Sequence, residues 1–117
     1  MNIEEIREYC LSKKASTEGF PFDEDTLVIK VMGKMFAVID LETANKLVLK
    51  CNADYALELR EQYAAIEPAW HFNKKHWNQI FLNGDVVDSM IKHLIDHSYD
   101  EVVMKFTRKE RMELENL

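Results

Sequence analysis

The sequence predicts one α+β domain, an antiparallel five-stranded sheet with helices packed on one face, in the order α-β-β-β-α-β-β-α-α-α. Three observations carry this. Residues 26–51 hold three short runs rich in β-branched residues, "TLVIKVM", "MFAVID" and "NKLVLKC". Both ends of the chain repeat apolar residues at helical spacing. The strand runs do not alternate with helices, which favours an antiparallel sheet over a parallel one. A chain of 117 residues fills one domain, 1–117, and can bury a core without metals or disulfides.

Each element has a local reason. Ile3, Ile6, Cys10 and Leu11 form a stripe, and Asn2 followed by Glu5 resembles a capping arrangement, so residues 2–14 read as an amphipathic helix. Gly19 and Pro21 in "STEGFPFDEDT" then break the chain into an exposed acidic turn. Gly33-Lys34 between the first two β runs signals a tight hairpin. Leu27, Ile29 and Val31 alternate with Val28, Lys30 and Met32, and Leu47, Leu49 and Cys51 alternate with Lys46, Val48 and Lys50, as in a meander with one buried face. A helix is expected from Asp54 to about Tyr63, followed by two extended segments within "AWHFNKKHWNQIFL". Asp85 leads a helix striped by Val86, Met90, Ile91, Leu94 and Ile95. Ser98 with Glu101, and Thr107 with Glu110, match the Ser/Thr-x-x-Glu capping box and predict two more short helices, 98–106 and 107–115.

Composition excludes several classes. The N-terminus "MNIEEIREYC" carries glutamates where a secretory signal is basic and apolar, and no apolar window approaches the roughly 20 residues of a membrane span. The expectation is a cytoplasmic protein with no membrane association, a monomer rather than an obligate oligomer. Cys10 and Cys51 fall outside any CxxC spacing and read as reduced, buried thiols.

Net charge is −6, but it is unevenly spread. Residues 1–25 carry 3 basic and 7 acidic groups, 54–67 carry 1 and 4, and 85–117 carry 5 and 8. The strand segments run the other way: 26–53 carry 4 and 2, and 68–84 carry 2 and none. The helices are acidic and the sheet is basic. If helices cover one face, the other exposes Lys30, Lys46 and Lys50, rimmed by Lys34, Lys74 and Lys75, and its field attracts an anionic partner despite the negative total. The competing explanation is that outward strand lysines only discourage edge-to-edge aggregation.

Catalytic signals are missing. There is no GxSxG, P-loop, GxGxxG or paired-cysteine motif, and three glycines leave little material for a phosphate-cradling loop. His71 and His76, five apart, fall on opposite faces of a strand. His93 and His97 are a better-spaced pair, but "HLIDH" lacks the glutamate of HExxH, and a cap at Ser98 leaves His97 beyond the helix end. No metal, cofactor or enzymatic activity is expected. Trp70, Phe72 and Trp77 interleave with His71, Asn73, Lys74, Lys75 and His76, a pattern in which aromatics stack on bases while cations meet phosphates. The plainer explanation is that the tryptophans anchor the sheet.

The blocks "FPFDEDTLVIKVMGKMFAVIDL", "HFNKKHWN" and "LIDHSYDEVV" resemble the small bacterial MmcQ/YjbR proteins, in order and spacing, from the first helix to about Lys105. The resemblance implies an α+β fold with helices on one side of an antiparallel sheet, related in shape to type III secretion chaperones and CyaY-like domains. It also implies DNA binding, a label that rests on likeness to a double-wing motif in which a sheet surface meets the duplex. The matching positions are Lys30, Lys34, Lys46 and Lys50 and the block His71 to Trp77. The leading expectation is therefore a non-enzymatic domain binding DNA weakly through Lys30, Lys34, Lys46, Lys50, His71, Asn73, Lys74, Lys75, His76 and Trp77. The alternative is a protein-interaction or chaperone-like module that binds no nucleic acid.

Overall fold

A computed structural model describes all residues, Met1–Leu117. Helix α1 spans Ile3–Leu11. Its capping box forms as the sequence implies: Glu5 N–H donates to Asn2 Oδ1 at 2.8 Å and Asn2 N–H donates to Glu5 Oε1 at 3.1 Å. Ile6 and Cys10 are its buried residues, one turn apart on the core side.

Six strands, not five, make the sheet: β1 (Ser16–Gly19), β2 (Thr26–Val31), β3 (Lys34–Asp40), β4 (Lys46–Lys50), β5 (Ile66–Pro68) and β6 (Trp77–Phe81). They lie in the order β1-β2-β3-β4-β6-β5, all pairs antiparallel. The extra strand is "STEG", read above as part of a turn. It has no β-branched alternation of its own, and pairing with β2 (Ser16 opposite Val31, Gly19 opposite Val28) makes it a strand. In "AWHFNKKHWNQIFL" only Trp77–Phe81 is extended; the partner strand lies upstream at Ile66–Pro68 and residues 69–76 connect the two.

The β2–β3 hairpin turns on Met32-Gly33, one residue earlier than the sequence suggests. Both have positive φ (48° and 80°), the signature of a two-residue type I′ turn that matches strand twist. β3 leads to β4 through an Asp40 turn, where the carboxylate accepts Glu42 N–H at 3.0 Å and Thr43 Oγ at 2.7 Å.

Helix α2 (Ala53–Gln62) is capped by Asn52, whose side chain accepts from Asp54 and Tyr55 N–H. Helix α3 (Asp88–Met104) replaces the two predicted helices around Ser98, and α4 (Arg108–Glu115) follows with the Thr107/Glu110 capping box in place. Two expectations fail here for a shared reason. Asp85 does not start α3: its carboxylate leaves the chain to accept Ala64 and Ala65 N–H, each at 2.9 Å. Ser98 does not cap a helix: it is fully buried in the middle of one, on the stripe Ile91, Leu94, Ile95, Ser98, Val102. Tertiary packing of that continuous stripe overrides the local motif.

One face of the sheet carries Leu27, Ile29, Val31, Ala37, Ile39, Leu47, Leu49, Ile66 and Ile80 into the main core, packed against Ile6 and Cys10 of α1, Ala56 and Leu59 of α2, Ile91, Leu94 and Ile95 of α3 and Leu114 of α4. The four helices thus share one face of an α+β domain, which leaves the opposite face for other uses.

Candidate functional site

Strand parity sets what the helix-free face carries. Val28, Val38 and Val48 stand side by side across β2, β3 and β4, and Lys30, Lys46 and Lys50 point to the same side from flanking positions. These lysines share the helix-free side as the sequence implies, but each is only partly exposed rather than standing free on an open face. The face is not bare, however. The three valines are buried, and with Ala69 they form a second small core against Met35, Phe72 and Trp77.

The segment 69–76 supplies that cover, and its polar residues fold it. Ala69 N–H donates to the Trp77 carbonyl (3.0 Å), Phe72 N–H to the Ala69 carbonyl (3.0 Å), and Lys75 N–H to Asn73 Oδ1 (3.0 Å). Cys51 N–H donates to the His76 carbonyl at 2.7 Å. Phe72 and Trp77 rings lie 5.4 Å apart at 35°. His71 and His76 therefore sit on a loop, not on opposite faces of a strand. Two residues that sequence reasoning missed tie this loop down: Arg60 of α2 donates to Asn78 Oδ1 at 2.7 Å and to the Lys74 carbonyl, and Asn78 Nδ2 donates to the Ala56 carbonyl at 3.3 Å. The available signal was Asn78 itself, a polar residue at an inward strand position, where a buried amide needs partners.

Trp70 is the exposed aromatic of the block, at 56%. Its indole N–H donates to Glu67 Oε1 at 3.2 Å, and the Lys74 ammonium lies 4.7 Å from its ring centroid. Trp77 is partly buried, opposite Lys50 across the β4–β6 pair.

The predicted residues separate into distinct surroundings. Lys46 lies opposite Asp40, 5.9 Å from the Phe81 ring centre, in an open groove of about 550 Å³ that also takes Asp23, Glu42, His71 and Phe72. Lys30 borders a second groove beside Glu18 and Phe20. Lys34, Lys50 and Trp77 line a third, of about 400 Å³, with Gly33, Met35, Val102, Lys105 and Phe106. Lys105, at the C-terminal end of α3, went unnoticed in the sequence because only the tertiary fold brings it to the sheet. Lys50 is half-buried, and burial followed by repulsion from Lys105 lowers its pKa, against a smaller opposing pull from Glu101. The sheet is thus polarised, carboxylate-rich at the Asp40 end of its helix-free face and lysine-rich at the Lys50 end, where a groove runs onto the C-terminal end of α3.

His93 and His97 lie within α3, and both rings meet Tyr55 edge-on, at 6.4 and 5.1 Å between centroids. No helix is long and apolar enough to cross a membrane.

The family model YjbR matches residues 11–101. The chain belongs to the YjbR family. This YjbR-family chain is 32% identical over 112 residues to the uncharacterized protein YjbR of Escherichia coli K12, covering 95% of each. It is 27% identical over 93 residues to the uncharacterized protein YbdF of Escherichia coli O157:H7. Among solved structures it resembles Deinococcus radiodurans protein DR2400, a DUF419 domain, at 38% identity and a TM-score of 0.89, covering 97% of this chain and 87% of that one. A Pseudomonas syringae protein structure matches at 26% identity and a TM-score of 0.70, over 84% of this chain and 96% of that one.

Proposed function

We propose that this chain is a non-enzymatic cytoplasmic domain that binds nucleic acid through the lysine-rich groove between the Lys50 end of its sheet and the C-terminal end of α3. The observation that carries the reading is the gathering of Lys34, Lys50 and Lys105 around Trp77, in a groove with no carboxylate among its lining residues. Lys30, in the groove beside Glu18, and the exposed Lys74 and Lys75 of the 69–76 loop add positive charge outside this groove. Phosphates meet the ammonium groups, and the partly exposed Trp77 in the groove wall supplies an apolar surface for a base. A net charge of −6 and few arginines favour weak binding with little base readout.

The test is a fluorescence titration with DNA and RNA oligomers at low and moderate salt. Binding should weaken steeply with salt, and charge reversal at Lys34 and Lys50 should reduce it. Lys46→Glu, in the carboxylate-rich groove, should have a smaller effect. No measurable binding even at low salt would sink the reading.

A second reading, a protein-interaction module, draws on Phe20 and Phe22, 52% and 64% exposed beside edge strand β1. Crosslinking in the native host that yields no partner sensitive to Phe20→Ser and Phe22→Ser would count against it.

A further inference from the structure

We infer that the groove bounded by Lys34, Lys50 and Lys105 is a site for a phosphate monoester carried next to a flat ring, as on a nucleoside monophosphate or the phosphorylated end of an oligonucleotide. This rests on the nucleic-acid reading but is narrower, since it distinguishes a terminal phosphate from an internal phosphodiester.

The argument starts from charge balance. Three lysines from three different segments line the groove: Lys34 opens β3, Lys50 ends β4 and Lys105 caps α3. Two carboxylates flank the groove without lining it. Glu101, beside the neutral His97, pulls on Lys50 more weakly than Lys105 repels it, and Glu110 is committed to its capping box with Thr107 while attracting Lys34 from a distance. Lys50 has no ion pair, and after burial itself the repulsion of Lys105 is what most disfavours its charge. A phosphodiester brings one negative charge, whereas a monoester brings about −1.5 to −2 at neutral pH and three acceptor oxygens, a closer match to three lysine donors. The remaining walls are apolar: Met35, Trp77, Val102 and Phe106. The groove's 400 Å³ or so falls within the range of small-ligand sites, roughly 300–1,000 Å³. Gly33, at φ +80°, makes the tight turn that sets Lys34 at the rim.

The experiment uses the full chain, ¹⁵N-labelled, titrated with a nucleoside 5′-monophosphate, the parent nucleoside, and a short single-stranded oligomer with and without a 5′-phosphate. Expected are amide shifts confined to the groove, at Gly33, Lys34, Met35, Lys50, Trp77 and Lys105, and affinity at least about tenfold tighter for each phosphorylated form than for its unphosphorylated counterpart. Lys105→Gln should remove that preference, and Lys50→Met, which keeps the buried stem, should do the same. Equal affinity with and without the terminal phosphate, or an unchanged preference in Lys105→Gln, overturns the assignment even if oligomers still bind the surface. Monophosphate binding in the groove with no affinity for any oligomer supports the assignment and defeats the broader nucleic-acid reading.

Discussion

Ser98 joins two strands where their own ladder ends: its hydroxyl accepts Lys50 N–H at 2.9 Å and donates to the Phe36 carbonyl at 2.5 Å. The β3–β4 register stops at Ala37 opposite Leu49, so the next pair of backbone groups would be left open without this side chain. Because the serine is fully buried, Ser98→Ala strands a donor and an acceptor away from water. The expected cost is about 1–3 kcal/mol in urea unfolding. A change within a few tenths of a kcal/mol would mean water reaches both groups.

Burial also fixes the cysteines. Cys10 and Cys51 are both free, and desolvation pushes each thiol up to about 12. Neither holds a useful thiolate population at neutral pH. A thiol-specific reagent at pH 8 should label neither residue in the folded protein and both in denaturant. Fast labelling of either in the native state contradicts the packing.

His97 gives a stability signal in mild acid. Its Nε2 accepts Asn52 N–H at 3.1 Å, which requires a neutral ring, and burial lowers its pKa below the ordinary 6.5 despite the opposing pull of Glu101. The unfolded chain therefore holds the proton more readily. Stability is complete above the ordinary pKa and falls as pH drops through about 6.5 and below, until the folded-state pKa is passed. Urea midpoints should decline over that window in the wild type and decline less in His97→Gln. Parallel pH profiles would show that another group carries the effect.

Gly84 is required by space. A Cβ built there collides with the Cβ of Ala65, itself buried and held by Asp85. Gly84→Ala should destabilise by about 1–3 kcal/mol, as overpacking does. The paired change Gly84→Ala with Ala65→Gly should recover part of that loss, measured by thermal melts of all three variants.

The parts of this fold that were legible in the sequence are those decided locally. The Asn2/Glu5 and Thr107/Glu110 caps, and the alternation that sends Leu27, Ile29, Leu47 and Leu49 inward and Lys30, Lys46 and Lys50 outward, depend on residues two to four apart. What escaped depends on partners far along the chain. "STEG" is extended only because β2 lies beside it, and Ser98 with Glu101 has the letters of a cap but belongs to a helix whose buried stripe runs straight through it. The site divides in the same way. The shared face of the lysines follows from period two, whereas the joining of Lys105 to Lys50, and of Lys46 to Asp40 and Asp23, follows from how α3 and the 20–25 segment come to rest on the sheet.

The strand order has a consequence for synthesis on the ribosome. β6 is the last strand made, yet it enters between β4 and β5 and pairs Lys46 with Phe81 and Lys50 with Trp77. Until residues 77–81 emerge, a nascent chain can close the β2–β3–β4 meander by short-range hairpins, but Leu47 and Leu49 lie along an unsealed margin. That half-made margin, a row of free backbone groups beside apolar side chains, is the stage at which the chain is most exposed to mispairing with a neighbour. Completing the sheet waits on closure of the segment 51–76, so the last backbone ladder to form is the one that positions Lys50 against Trp77.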